Sequence, residues 1–226
     1  MKKAILILGF LFMLPLIGLA QDLDIEKVNF KKIKKEIRKK KSPYYYPVLY
    51  QRYLDLDTSL SVLEFRYLYY GYSFQDAYNP YGTPELRDSL ISYLQREDPL
   101  QAEIEVSARI AAKLLRESSF RLRETFIAAV SFELAGNEKM SAFYYFIFER
   151  QVEAILSSGD GLTQETAFAV IYIPDEYEIL EVLGFTFGGD QSLLHGNYDL
   201  LRLGANPYGV TELYFDVNSL IEVGFK

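Results

Sequence analysis

His195 is the only histidine in the chain, and Asn197 and Asp199 follow it closely. A lone imidazole oriented by a nearby carboxylate is the minimal equipment of a general base. The same residues also suit a loop histidine beside a turn, and that is the better reading. The chain has no cysteine, and serines such as Ser192 sit in no nucleophile-elbow context. One imidazole is also a poor start for a histidine-ligated metal centre.

Asp160 and the run Asp175-Glu176-Tyr177 offer a second chemistry. Two carboxyls about 5–10 Å apart can share acid and base roles in glycoside cleavage. Both aspartates, however, stand in turn-like settings, Gly159-Asp160-Gly161 and Pro174-Asp175. There the side chain is favoured because it accepts from local backbone amides. Ser157 to Gly161 lacks the ligand spacing of a calcium loop, and Gly188-Gly189 precedes Asp190 with no following lysine to cradle phosphate. No complete catalytic motif emerges. The expectation is a protein without enzymatic activity, cofactor or metal.

Tyrosine is abundant, at 19 residues. Its ring packs while its hydroxyl finds a polar partner, so it serves equally in cores and on binding surfaces. Tyr67 and Tyr70 are three apart on an expected helix and read as packing. Tyr44, Tyr45, Tyr46, Tyr78 and Tyr81 lie nearer loops and are the candidates for a binding surface.

Charge is unevenly placed. The full chain carries a net charge of −7. Residues 21–41 hold nine basic side chains, among them Lys31, Lys32, Lys34, Lys35, Arg38, Lys39, Lys40 and Lys41, against four acidic ones. From Ser42 onward 13 basic residues face 27 acidic ones. A basic arm on an acidic body could hold an anionic glycan or lipid surface. No nucleic-acid partner is expected; the partner is an unknown protein or envelope component.

Lys2 and Lys3 precede an apolar run from Ala4 to Leu14, then Pro15 and Gly18-Leu19-Ala20. This is the pattern of a cleavable leader over residues 1–20, so the protein is expected to be exported, to the periplasm or beyond, with cleavage near Ala20. Without cysteine neither a disulfide framework nor a lipid-modified cleavage site is available.

The elements that must position these residues follow from periodicity. Residues 21–43 form a basic amphipathic segment, helical over 24–40, with Ile25, Phe30, Ile33 and Ile37 as a thin apolar stripe. So thin a stripe predicts a loosely attached arm, removable without loss of stability. Residues 44–226 form one α+β domain, mostly helical to 159 and mostly β from 160. Ser61 to Glu64 is a capping box opening a helix that Gly71 should stop. Thr83-Pro84, Asp98-Pro99, Ser119 and Asn137 should open four further helices, joined by short loops that force antiparallel neighbours. Thr166 to Ile173 reads as a strand and Pro174-Asp175 as a turn. Phe185 to Phe187, Leu200 to Leu203 and Glu212 to Val217 complete a small antiparallel sheet.

Two stretches carry a family resemblance. One is Leu68-Tyr69-Tyr70-Gly71-Tyr72-Ser73-Phe74-Gln75 with Tyr78-Asn79-Pro80-Tyr81. The other is Ser158-Gly159-Asp160-Gly161 with Asp175-Glu176-Tyr177 and Tyr214-Phe215-Asp216. With the leader and the length they resemble an exported Bacteroidota family, domain of unknown function 4919. That resemblance implies a cell-envelope or secreted setting and brings no activity or site residue. A fainter likeness is to a single tetratricopeptide helix pair. Phe132, Gly136, Ser141 and Tyr145 fit its spacing, whereas Thr125, Phe148 and Glu153 depart from its pattern. The leading expectation is an exported, non-enzymatic interaction module. An anion-binding basic helix and a hydrolase using the C-terminal carboxylates are the alternatives.

Overall fold

A computed structural model describes residues 25–82, 85–94, 96 and 98–224. The leader and the Thr83-Pro84 helix start lie outside the described residues. Helices α1 (Phe30–Glu36), α2 (Tyr46–Leu54), α3 (Val62–Tyr72), α4 (Arg87–Leu94), α5 (Gln101–Glu117), α6 (Leu122–Leu134) and α7 (Glu138–Leu156) come first. After them come β1 (Phe168–Ala169), α8 (Pro174–Val182), β2 (Phe187–Leu194), β3 (Tyr198–Leu203), β4 (Glu212–Asp216) and α9 (Asn218–Gly224). The class is α+β.

Several starts sit where side chains can satisfy the first amides. Ser61 Oγ accepts from Glu64 N at 3.2 Å, and Glu64 accepts from Ser61 N at 2.9 Å, closing the capping box. Asn137 accepts from Met140 N at 3.2 Å to open α7. Helices α5, α6 and α7 pack as consecutive neighbours. Phe132 of α6 stacks on Tyr144 of α7 with ring centres 5.7 Å apart.

Other expectations need correction. Gly71 does not stop α3. A Cβ at that position would lie 3.1 Å from Ile37 Cγ2 and 3.2 Å from Tyr46 Cδ2. Glycine is there to let the chain around α1 come close to α3. Ser119 does not cap α6, whose N-cap is Arg121, a residue with no capping side-chain bond. Pro174-Asp175 is not a turn: Pro174 is the first residue of α8, where its fixed φ and missing N–H are tolerated.

The sheet is mixed. Strand order is β1-β4-β3-β2, with β3 antiparallel to both neighbours and β1 parallel to β4. The long connection from β1 through α8 and the β2–β3 hairpin permits the parallel pairing. Within the expected 166–173 strand the ladder takes only Phe168 and Ala169. Gly188-Gly189 is neither a phosphate loop nor a turn between strands. It lies inside β2, where the register shifts between Phe187 and Gln191, as in a bulge.

The basic segment is neither loose nor as long as expected. Asn29 accepts from Lys32 N at 2.9 Å and starts α1 six residues later than the stripe suggested. Ile25 is exposed, while Ile33 and Ile37 are 5% and 2% exposed and belong to the core. Phe30 meets Tyr70 edge-on at 5.6 Å and Phe74 at 6.4 Å. Three apolar side chains seated on α3 supply the burial that the pattern seemed too thin to give. The preceding residues are held too: Glu26 N donates to Ser157 O at 2.9 Å, and Arg66 donates to the Glu26 carbonyl, Ser157 Oγ and the Ala154 carbonyl.

Candidate functional site

His195 sits exposed in the β2–β3 loop, where its carbonyl accepts from Gln164 Nε2 at 2.7 Å. Asp199 does not orient it. The Asp199 carboxylate accepts instead from Gln191 Nε2 at 2.9 Å. Asp160 serves its own turn, accepting from Leu162 N at 2.9 Å and Thr166 Oγ1 at 2.5 Å. Asp175 is buried and accepts from Leu122 N at 3.0 Å and from the Tyr69 hydroxyl at 3.3 Å. Among the described residues Asp160, Asp175 and His195 share no hydrogen-bond partner, so the carboxyl pair weighed against the turn reading does not form between Asp160 and Asp175.

The tyrosine candidates divide. Tyr46 and Tyr78 are core residues, the latter donating to the Ile171 carbonyl. Burial raises both hydroxyls above their ordinary range. Tyr44 stacks face to face on Tyr67 at 3.9 Å, and Tyr45 is half-buried just before α2. Tyr81 is 60% exposed, yet its hydroxyl donates to the Leu220 carbonyl at 3.1 Å and bridges to α9. The cluster is chiefly packing: Tyr44, Tyr46 and Tyr78 stack or pack on other rings, and Tyr78 and Tyr81 donate to carbonyls.

A different carboxyl pair comes together. Glu176, in the first turn of α8, is fully buried, and Asp199 on β3 shares a hydrogen-bond donor with it. Gln191 on β2 donates to Asp199, and at 3.3 Å to Glu176 Oε2. The Tyr177 hydroxyl donates to Gln191 Oε1 at 2.5 Å. Among the described residues Glu176 Oε1 has no hydrogen-bond partner. Burial, with the neighbouring Asp199 carboxyl next, pushes Glu176 well above the ordinary carboxylate range. Burial raises Asp199 too, against the Gln191 hydrogen bond, which lowers it. The sequence does hold a sign of this pair. Asp199 alternates in phase with Leu201, the inward-facing position of β3, and an inward carboxylate needs a partner.

The basic helix forms the wall of a cleft of about 260 Å³. Phe30, Lys34 and Arg38 line it on one side. Ser73, Phe74, Gln75, Asp76 and Tyr78, after α3, and Asn218 and Ser219 of α9 complete it. Lys34 Nζ lies over the Phe74 ring at 5.2 Å. Lys39 pairs with Glu36. Among the described residues neither Lys34 nor Arg38 makes an ion pair, and neither do Lys31, Lys32, Lys35, Lys40 and Lys41. The docked stripe of Phe30, Ile33 and Ile37 faces the core, so the lysines between them face water. The pocket thus presents two cations and the Asp76 carboxylate beside hydroxyl and amide groups.

Neither the curated proteins nor the solved structures yield a match to this chain. A family model described as Domain of unknown function (DUF4919) matches residues 31–224. That span reaches from the basic helix through α9, and the chain belongs to the DUF4919 family.

Proposed function

We propose that the chain is an exported, non-enzymatic binding module that holds an anionic group of an envelope component in the cleft beside α1. The carrying observation is that Lys34 and Arg38 line a cleft of about 260 Å³ with no carboxylate paired to either. Because the segment is anchored through Ile33 and Ile37, the backbone that carries both cations is in place before a ligand arrives, which lowers the cost of binding. The volume suits a carboxylate or phosphate carried on an organic body. Asp76 lines the same cleft and limits its net positive charge. The remaining unpaired lysines of the segment extend the positive field outward, screened beyond ~8 Å at physiological salt. Export rests on the leader pattern of Met1 to Ala20.

Binding of a polyuronate oligosaccharide and of phosphatidylglycerol vesicles, at low and high salt, tests the reading. The mature protein should bind at least one of these at low salt, and Lys34→Ala/Arg38→Ala should weaken that binding at least tenfold with an unchanged melting temperature. Equal binding by the double variant and the parent would reject the cleft.

A further inference from the structure

The Glu176–Asp199 pair shares no residue with the α1 cleft, and its chemistry differs. Glu176 is fully buried and leaves Oε1 without a partner among the described residues, while Asp199 is almost as deep. Two ionised carboxylates that share one amide donor in such a place repel each other, because neither charge is solvated. With one proton between them the pair is a single anion. Gln191 Nε2 donates to both carboxyls and holds them to one another. Gln191 in turn accepts from the Tyr177 hydroxyl, so its amide is engaged at both ends.

The charged surroundings add no compensating cation. From α8, Asp175 adds a further repulsive carboxyl and Tyr177 a neutral hydroxyl. From α6, Arg123 pairs with Glu178 and Glu181, while Glu124 pairs with Arg87. Arg121 lies over the Tyr172 ring and donates to the Asn79 and Gly82 carbonyls. From β2 the pair receives only the neutral Gln191.

We propose that Glu176 and Asp199 hold one proton between them, and that this proton fastens the edge hairpin β2–β3 to helix α8. Strand β2 is the outer strand of the sheet, exposed along nearly its whole length, and its register is already broken by the Gly188-Gly189 bulge. The Gln191 side chain is its polar tie to α8. Loss of the proton places two negative charges under Gln191, so the hairpin loosens as pH rises and tightens as it falls.

Amide hydrogen exchange of the full mature chain, corrected for intrinsic rates, reads this directly. In the parent protein the opening equilibrium of β2 should rise with pH above the ordinary carboxyl range, by up to about tenfold per pH unit for one proton, while α7 does not change. Glu176→Gln supplies a permanent N–H donor to Asp199 and should make β2 protection independent of pH. Asp199→Asn is the second variant should the first not fold, with the same expected outcome. A pH-independent β2 in the parent, or variants that follow the parent, would overturn the proposal. So would recovery of β2 protection at high pH by millimolar calcium chloride, which would make a cation the resident of the pair.

Discussion

The Asp175 carboxylate accepts the backbone N–H of Leu122 at 3.0 Å, so helix α6 is capped by a side chain from α8, 53 residues later in the chain. The Tyr69 hydroxyl donates to the other oxygen at 3.3 Å. One buried carboxyl thereby joins α3, α6 and α8. Replacing it with alanine leaves the Leu122 amide and the Tyr69 hydroxyl without their acceptor. Asp175→Ala should lower unfolding free energy by about 2–4 kcal/mol, a cap plus an orphaned buried donor. Asp175→Asn, which keeps an acceptor, should lose less than half of that. Urea titrations of the two variants check it.

The basic helix should be indispensable to stability. Ile37→Ala deletes a side chain 2% exposed against α3 and should cost about 2–5 kcal/mol. Deleting residues 22–41 should abolish the cooperative thermal transition. A deletion variant that melts with the parent would show that α1 does not belong to the core.

Gly71→Ala tests the same contact from the opposite side. The added methyl must displace Ile37 and Tyr46, at 3.1 and 3.2 Å, and should cost about 1–3 kcal/mol. Calorimetry of Gly71→Ala in an Ile37→Val background should show a smaller loss, because the smaller neighbour yields the space.

Stability should peak in mildly acidic solution. Hydrogen bonds from Ser59, then Arg52, hold Asp57 down at about 2, below the usual carboxylate range. Its stabilisation is present above the unfolded value near ~3.9 and is lost as pH falls toward 2. Asp175, Glu176, Glu178 and Asp199 are all raised, mainly by burial. Their folded forms keep protons that the unfolded chain releases, so stability is lost as pH rises above ~4 through the folded values. Urea midpoints across pH 2 to 9 should fall on both sides. Asp57→Asn should flatten the acid limb and Glu176→Gln the other. A midpoint that climbs steadily from pH 5 to 8 would contradict the assignment.

Local grammar carried the helices well and the site poorly. Ser61, Glu64 and Asn137 act within four residues of themselves, and their caps were legible because a cap is a short-range bond. Asp175 was legible as a capping aspartate, but the amide it satisfies lies on another helix, and no spacing rule reaches across 53 residues. The pairing of Glu176 with Asp199 depends on α8 lying against the inner face of β3, a tertiary fact. The basic arm misled for a related reason: its stripe is thin when counted alone, yet Gly71 and the rings of Tyr70 and Phe74 are shaped to receive it. The lysines on the faces away from that stripe are exposed.

The sheet order sets a timetable. Strand β4, the last strand among the described residues, lies inside the sheet between β1 and β3, and there Phe168 and Ala169 pair with Phe215 and Asp216. A chain threading outward from its amino end can assemble the α5–α7 bundle early, from contacts close in sequence. Strand β1 must wait, and so must the carbonyl of Gly161, which accepts from Tyr214 N at 2.9 Å. Until residue 216 has emerged, the core of this half of the molecule stays open on one side. Stalled or truncated chains would therefore present β1 and the flank of β3 as unfilled places for a strand from another copy.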